Sequence, residues 1–246
     1  MKYNVESRNI MKILALDTAT VVATAAIADE EKLYSETTIH SKKKNHSERL
    51  MLLIEEVLKN SGLELKDVDL FSCTVGPGSF TGLRIAIATV KGLAQSLNKP
   101  VIPLSTLEAL AYNLPFCKEI ICPIIDAQRD QVYTCFYEWT EEGLQALTQE
   151  SVYSIEELLN IITGQGKGVV LLGDGVKKIP YEALEKYKNL LKVAPVSSRM
   201  PKASSLASLS LDVAKKGVTT TYSNLEPNYM RKSQAEIQME LKKNNS

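Results

Sequence analysis

The sequence predicts an α/β fold made of two similar halves that face each other across a cleft. The predicted element order βββαβα occurs twice along the 246 residues. The first strand of each copy ends in an aspartate, Asp17 or Asp126, and a glycine turn follows the later buried strand of each copy. An internal repeat of this kind indicates two half-domains with one architecture. Two unrelated α/β units are the alternative.

Short apolar runs predict the strands of the first half, because such runs between polar or glycine breaks are typical of buried strands. The expected strands span 13–19, 22–28, 32–39, 69–75 and 101–104. A helix over 48–60 follows Ser47, a candidate N-cap, and a second helix ends at Leu97. The first half is therefore expected over residues 11–105.

The same order of elements begins again after a helical connector over 105–114. The expected strands of the second half span 120–126, 131–137, 144–153 and 169–172. One helix begins after Ser154 and ends at Ile162, and another spans 176–188. The second half is therefore expected over residues 106–202.

The C-terminal part of the chain is expected to return to the first half. After a linker over 195–201, a helix over 203–216 and an extended segment over 225–231 follow, and residues 203–231 are expected to pack back on residues 11–105. Residues 1–10 and 232–246 are polar and are expected to be disordered tails, with Met11 as a natural start.

The turn Gly76-Pro77-Gly78 joins a predicted strand to a helix that Ser79 or Thr81 caps. The first turn of such a helix has free N–H groups, so the corner is a candidate anion cradle. The alternative is that the glycines only make a tight connection between a buried strand and a buried helix. No Gly-Lys-Ser or Gly-Lys-Thr follows the glycines, so the segment is not a P-loop.

The helix that ends at Leu97 carries an unusually smooth strip, formed by Ile85, Ala88 and Gly92. A glycine inside a helix costs about 1 kcal/mol relative to alanine, so Gly92 predicts that another element packs closely there. The helix over 48–60 likewise has an apolar arc broader than one sheet contact requires. Both helices are therefore expected to have a second partner, with extra packing inside the chain as the alternative.

Composition excludes several function classes. Lys plus Arg and Asp plus Glu both total 29, and this balance argues against strong nucleic-acid binding by the chain itself. No apolar run is long enough to span a membrane and no signal-peptide pattern is present, so a cytoplasmic location is expected. The four cysteines form no C-x-x-C pair and are expected to be buried and reduced. His40 and His46 are six residues apart and do not share a helix face, so no metal site is expected.

Five segments carry a family resemblance: ILALDTAT at 13–20, NHSERL at 45–50, GPGSFTGLR at 76–84, DAQR at 126–129 and EPNYMR at 226–231. Together with the duplicated βββαβα unit, they resemble the TsaB (YeaZ) family of the actin-like (ASKHA) superfamily. One departure is Gln128, where many relatives have arginine.

The resemblance implies a non-catalytic partner of a TsaD-like subunit, which transfers the threonylcarbamoyl group to the adenosine next to the anticodon of tRNAs reading codons that start with A. It also implies a TsaE-like ATPase partner, contact with tRNA only through the complex, and a homodimer when the chain is alone. No intrinsic cofactor is implied, and ATP or ADP at the partner interface is an option. The implied interface lies on the two first-half helices, at His46, Leu50, Leu53, Val57, Arg84, Ile85, Ala88, Lys91 and Gly92.

A stand-alone enzyme is the alternative, either a nucleotide-dependent phosphotransferase or a glycoprotease-like hydrolase. Members of the superfamily bind a nucleotide between their halves, which implies candidate nucleotide-binding residues at Asp17, Thr18, Gly76, Gly78, Asp126, Arg129, Gly173, Asp174 and Gly175. The hydrolase alternative lacks metal ligands. It also lacks a nucleophile, since Ser79 has its glycines in the wrong register for a nucleophile elbow.

Overall fold

Five strands form the sheet of the first half. A computed structural model describes residues 10–40 and 46–230, without the side chains of residues 46–48. The strands are β1 (Ile13–Asp17), β2 (Val22–Ala28), β3 (Leu33–His40), β4 (Leu70–Gly76) and β5 (Val101–Ser105). Their order in the sheet is β3-β2-β1-β4-β5. Strands β1 to β3 are antiparallel, whereas β4 and β5 run parallel to β1.

The second sheet repeats this arrangement. Its strands are β6 (Ile120–Asp126), β7 (Gln131–Thr134), β8 (Tyr137–Thr140), β9 (Gly143–Ala146), β10 (Ser151–Ser154), β11 (Val169–Leu172) and β12 (Leu191–Val193). The order β10-β7-β6-β11-β12 matches the first sheet strand for strand, with β8 and β9 attached beside β6. The predicted duplicated α/β fold is therefore confirmed.

Seven helices accompany the strands along the described chain: α1 (His46–Ser61), α2 (Phe80–Leu97), α3 (Thr106–Ala111), α4 (Ile155–Gly164), α5 (Tyr181–Lys186), α6 (Val196–Arg199) and α7 (Ala203–Lys215). Helix α1 begins at His46, two residues earlier than predicted, so Ser47 lies inside it rather than at its N-cap. The prediction that Ser154 caps α4 is confirmed, because its hydroxyl accepts from the N–H of Glu157.

The first sheet is covered on both faces. Alternate residues of β1 point to opposite sides, so Leu14 and Leu16 share a core with α1 and α2, whereas Ile13 and Ala15 share a core with α7. Helices α1 and α2 also contact each other. Each of them buries one face on the sheet and leaves its opposite face exposed.

Several predicted boundaries in the second half are wrong. The single strands expected over 131–137 and 144–153 are each split in two. The N–H of Phe136 donates to Thr148 Oγ1 instead of to a neighbouring strand, and β8 pairs with β9 as a hairpin. The helix expected over 176–188 is a 3₁₀ turn, Asp174–Lys178, followed by α5, because Pro180 cannot donate the hydrogen bond that would continue a helix. The linker over 195–201 contains α6, and β12 was not predicted.

Some residues with sequence-based expectations lie outside the described residues. They are the expected tails, except for residue 10, Asn45 at the start of the second segment, and Arg231 at the end of the fifth segment. Within residues 10–40 and 46–230, none of the helices has the length and apolarity needed to cross a membrane.

Candidate functional site

The glycine corner, residues 76–82, joins β4 to α2. Ser79 is the N-cap of α2, as one of the two predicted options, because its hydroxyl accepts from the N–H of Gly82 at 3.3 Å. The N–H of Ser79 donates to the carbonyl of Ala19 at 2.7 Å. Two N–H groups that an anion cradle would need are therefore occupied by protein atoms.

Glycines at this corner allow backbone to lie directly on backbone. A Cβ on Gly82 would stand 1.9 Å from the carbonyl oxygen of Thr18, and one on Gly78 would stand 2.5 Å from that of Ala19. The hydroxyl of Thr18 donates to the carbonyl of Gly82 at 2.7 Å. Two of the candidate nucleotide-binding residues, Thr18 and Gly78, thus serve to join the end of β1 to the start of α2, which favours the tight-connection alternative.

Asp17 is the carboxylate closest in sequence to this contact, and it is 2% exposed. Burial raises its pKa to about 6, although the backbone N–H of Ala19 and the hydroxyl of Thr74 lower the pKa in part. Its Oδ1 accepts from the N–H of Ala19 at 2.7 Å. The side chain therefore points into the first half and supports the turn after β1.

Asp126 occupies the equivalent position in the second half, in a different environment. Its carboxylate lies 2.7 Å from Lys178 Nζ and 2.9 Å from Lys177 Nζ. Partial burial would raise its pKa, but these two ammonium groups and the N–H of Gln128 outweigh burial and hold the pKa below its usual value. The backbone N–H of Asp126 donates to Asp174 Oδ1 at 2.9 Å, and burial raises the pKa of Asp174.

The remaining candidates in the second half also have structural environments. A Cβ on Gly173 would stand 2.2 Å from the carbonyl oxygen of Ile124, and one on Gly175 would stand 2.9 Å from the same atom. Gly173 has φ +102°, a conformation that glycine adopts without strain. Arg129 is exposed at the tip of the β6–β7 hairpin, where it has φ +46°.

The C-terminal strap, defined here as residues 225–230, lies over the glycine corner. The N–H of Asn228 donates to the carbonyl of Val75 at 2.7 Å, and a Cβ on Gly76 would stand 2.4 Å from the carbonyl oxygen of Asn228. The ring of Tyr229 stacks on Phe80 with centroids 4.5 Å apart. The motif EPNYMR was visible in the sequence, but its contact with this corner was not.

A shallow depression remains between the halves beside the strap. Pro77, Gly78, Tyr133, Tyr229 and Met230 are among its lining residues. Residues of the strap therefore line this depression together with Gly78, one of the candidate nucleotide-binding residues.

The predicted interface residues divide into two groups. Leu50, Leu53 and Val57 are no more than 1% exposed and belong to the core of the first half, so their assignment to a partner surface is wrong. The arc of α1 is broad because both α2 and the sheet cover it. Its exposed apolar residues are instead Met51 at 44% and Leu52 at 60%.

The predicted strip on α2 does lie on the surface. Arg84, Ala88 and Gly92 are exposed, and Ile85 and Lys91 are half-buried. A Cβ on Gly92 would meet no atom within 4 Å, so nothing inside the described chain requires a glycine there. His46 lies in α1, but its side chain is outside the description.

Other expectations concern cysteines and metal ligands. Cys73, Cys122 and Cys135 are buried and Cys117 is half-buried, and all four are free thiols. In the part of the chain that the structure describes, no three His, Cys, Asp or Glu side chains come together as a metal site would require.

The two matching sheets and the cleft between them define an actin-like protein. The fold is similar to that of ROK hexokinase from Thermus thermophilus, with a TM-score of 0.50 and 15% identity over 82% of this chain and 100% of that chain.

More specific matches lie within this class. The model of the TsaD family, tRNA N6-adenosine threonylcarbamoyltransferase, matches residues 30–239. TsaB from Bacillus subtilis, a tRNA threonylcarbamoyladenosine biosynthesis protein, is 31% identical over 92% of this chain and 96% of its own length. YeaZ from Pseudomonas aeruginosa has a TM-score of 0.73 and 27% identity over 89% of this chain and 100% of that chain. The chain belongs to the TsaB (YeaZ) family.

Gly82→Ala tests the backbone contact between β1 and α2. The added methyl group would overlap the Thr18 carbonyl, so we expect α2 to shift and the free energy of unfolding to fall by about 1–3 kcal/mol. Gly92→Ala in the same helix is the matched control and should gain up to about 1 kcal/mol from helix propensity. Urea unfolding followed by circular dichroism measures both. Equal stability of the two variants would contradict the contact.

Asp17→Asn tests the buried carboxyl. Because the folded protein raises the pKa of Asp17 from 3.8 to about 6, it binds this proton more tightly than the unfolded chain, and stability falls as pH rises through that interval. Asparagine can accept from Ala19 but cannot ionise. Between about pH 4 and pH 7 the variant should therefore gain up to about 3 kcal/mol over the wild type. Asp126→Asn should lose stability instead at neutral pH, since it removes two ion pairs. A pH-independent difference between Asp17→Asn and the wild type would overturn the assignment.

Proposed function

We propose that the chain acts in tRNA threonylcarbamoyladenosine biosynthesis as a non-catalytic partner of a TsaD-like subunit, in the cytoplasm. That subunit would transfer the threonylcarbamoyl group to the adenosine next to the anticodon of tRNAs reading codons that start with A. The observation that carries the proposal is the exposed face of α1 and α2, which combines apolar side chains with an unexplained glycine.

The exposed face has the chemistry of a helix-docking surface. Met51 and Leu52 on α1 are large apolar side chains that remain 44% and 60% exposed. On α2, Ile85, Ala88 and Gly92 follow one another at helical spacing. Small residues let a second helix approach closely, and the apolar area removed from water would supply most of the binding free energy.

Gly92 supports an external partner rather than packing inside the chain. Its position costs about 1 kcal/mol of helix stability relative to alanine. Apart from the backbone of α2 itself, no atom of the described chain lies within 4 Å of the place where a side chain would begin. The small residue is therefore explained if a partner helix occupies that space.

The environment of the candidate nucleotide-binding residues favours a non-catalytic role for this chain. Asp17 and Thr18 are buried and bonded to backbone groups, and Asp126 is engaged by two lysines. The strap bonds to Val75 and stacks on Phe80 beside the glycine corner. We infer that the chain has no intrinsic cofactor and that any ATP or ADP binds at the junction with the partner.

The remaining partners follow from the same role. Equal numbers of acidic and basic residues favour contact with tRNA through the complex rather than by this chain alone. A TsaE-like ATPase is the second protein partner that we propose. When no TsaD-like subunit is present, the exposed face of α1 and α2 would pair with a second copy of the chain, because it would otherwise leave the same apolar area in water.

Gly92→Arg tests this surface in a mixture with the TsaD-like protein of the same organism. Burying an unpaired guanidinium in a helix contact is costly, so we expect at least about hundredfold weaker association. Size-exclusion chromatography with light scattering measures the complex, and circular dichroism checks the fold. Gly164→Arg is the matched control. Gly164 is the last residue of α4 in the second half, and a Cβ added there would likewise meet no atom outside its own helix within 4 Å.

The proposal predicts that the wild type and Gly164→Arg form the complex and that Gly92→Arg does not. Association of Gly92→Arg with unchanged strength would contradict the proposed surface. ATP turnover by the purified chain with a small-molecule acceptor, at about 1 to 1,000 per second, would instead favour a stand-alone phosphotransferase.

A further inference from the structure

The C-terminal strap connects the two halves at the mouth of the cleft. The chain reaches it along the edge of the first sheet, where Thr220 and Val101 exchange two backbone hydrogen bonds of 2.9 Å. Leu225 is then fully buried in the core of the first half. Five residues later, Met230 packs against the core of the second half and lines the depression next to Tyr133.

The strap makes specific contacts with the first half between these two ends. The N–H of Asn228 donates to the carbonyl of Val75. Tyr229 stacks on Phe80, and its Oη accepts from Arg84 Nε at 2.8 Å. Backbone pairing, ring stacking and a hydrogen bond to a guanidinium group are the kinds of contact by which proteins hold bound peptides.

We propose that the strap is an internal ligand of the cleft, which bridges the two halves and keeps the cleft closed without a small molecule. In this role the chain's own residues 225–230 occupy the space that an external ligand would need. The inference concerns the isolated chain and does not depend on the partner role.

Steric exclusion at Gly76 supports the proposal. A single added carbon on Gly76 would stand 2.4 Å from the carbonyl oxygen of Asn228, so the strap is in direct contact with the backbone of the glycine corner. A ligand that approached Gly76 from the cleft would first have to displace Asn228. The strap and another molecule therefore cannot occupy this corner at the same time.

The contacts also indicate where the strap would open. Leu225 is buried, but Glu226 and Asn228 are exposed and Tyr229 is 36% exposed. Segments with few buried apolar contacts open at lower free energy than the whole domain. The part of the strap after Leu225 should therefore detach while both halves stay folded.

Tyr229→Ala tests the proposal in the full chain, with hydrogen exchange measured by mass spectrometry. Loss of the stacked ring should free the strap, so amides of residues 72–83 in the first half and 131–137 in the second should exchange about tenfold faster. Tyr181→Ala is the matched control, because Tyr181 is a 71% exposed tyrosine on α5. Faster exchange in the strap alone, with the exchange of residues 72–83 and 131–137 unchanged, would overturn the proposal.

Two further measurements test the same proposal if the Tyr229→Ala variant does not fold. Met230→Ser removes the apolar contact with the core of the second half, so faster exchange at 131–137 is expected, and unchanged exchange there would overturn the bridge. ATP is the second probe. In the wild type it should leave the exchange of residues 72–83 unchanged. Slower exchange of that segment with ATP, while the strap stays protected, would show that ligand and strap coexist and would also overturn the proposal.

Discussion

The contact between the end of β1 and the start of α2 fixes the geometry on which the rest of the first half depends. The Thr18 hydroxyl and the Ala19 carbonyl each bond to the glycine corner, and Gly78 and Gly82 allow the two backbones to touch. Because α2 is held at its N-terminus in this way, its buried face is set on the sheet and its opposite face is set toward solvent. The exposed strip around Gly92 therefore depends on the same corner at which the superfamily resemblance implied nucleotide binding by Gly76 and Gly78.

The two halves share a topology but differ in the chemistry of their corners. Asp17 is buried with a raised pKa, whereas Asp126 is paired with Lys177 and Lys178 and has a lowered pKa. One aspartate supports a turn, and the other is held in an ion-pair cluster. The strap then covers the first corner through Asn228 and Tyr229. The two corners of the cleft are therefore held by different kinds of contact.

Local signals were readable in the sequence, and long-range contacts were not. Ser154 was recognised as a cap, and Ser79 as one of two options, because a capping hydroxyl lies within three residues of its N–H partner. The β8–β9 hairpin was missed because the breaks that separate it from β7 and β10, at residues 135–136 and 147–150, contain no glycine or proline. Leu50 was placed on the outer surface because periodicity shows an apolar arc but not which elements cover it. Arg84 and Tyr229 are 145 residues apart, so no local pattern could have joined them.

We propose that this chain works by presenting α1 and α2 to a catalytic partner. Hydrogen exchange of the wild type with and without the TsaD-like protein would locate the covered surface without any substitution. We expect slower exchange in α1 and α2, over residues 49–61 and 80–97, and unchanged exchange in the second sheet. Protection confined to the second half, or protection of neither helix, would contradict this proposal.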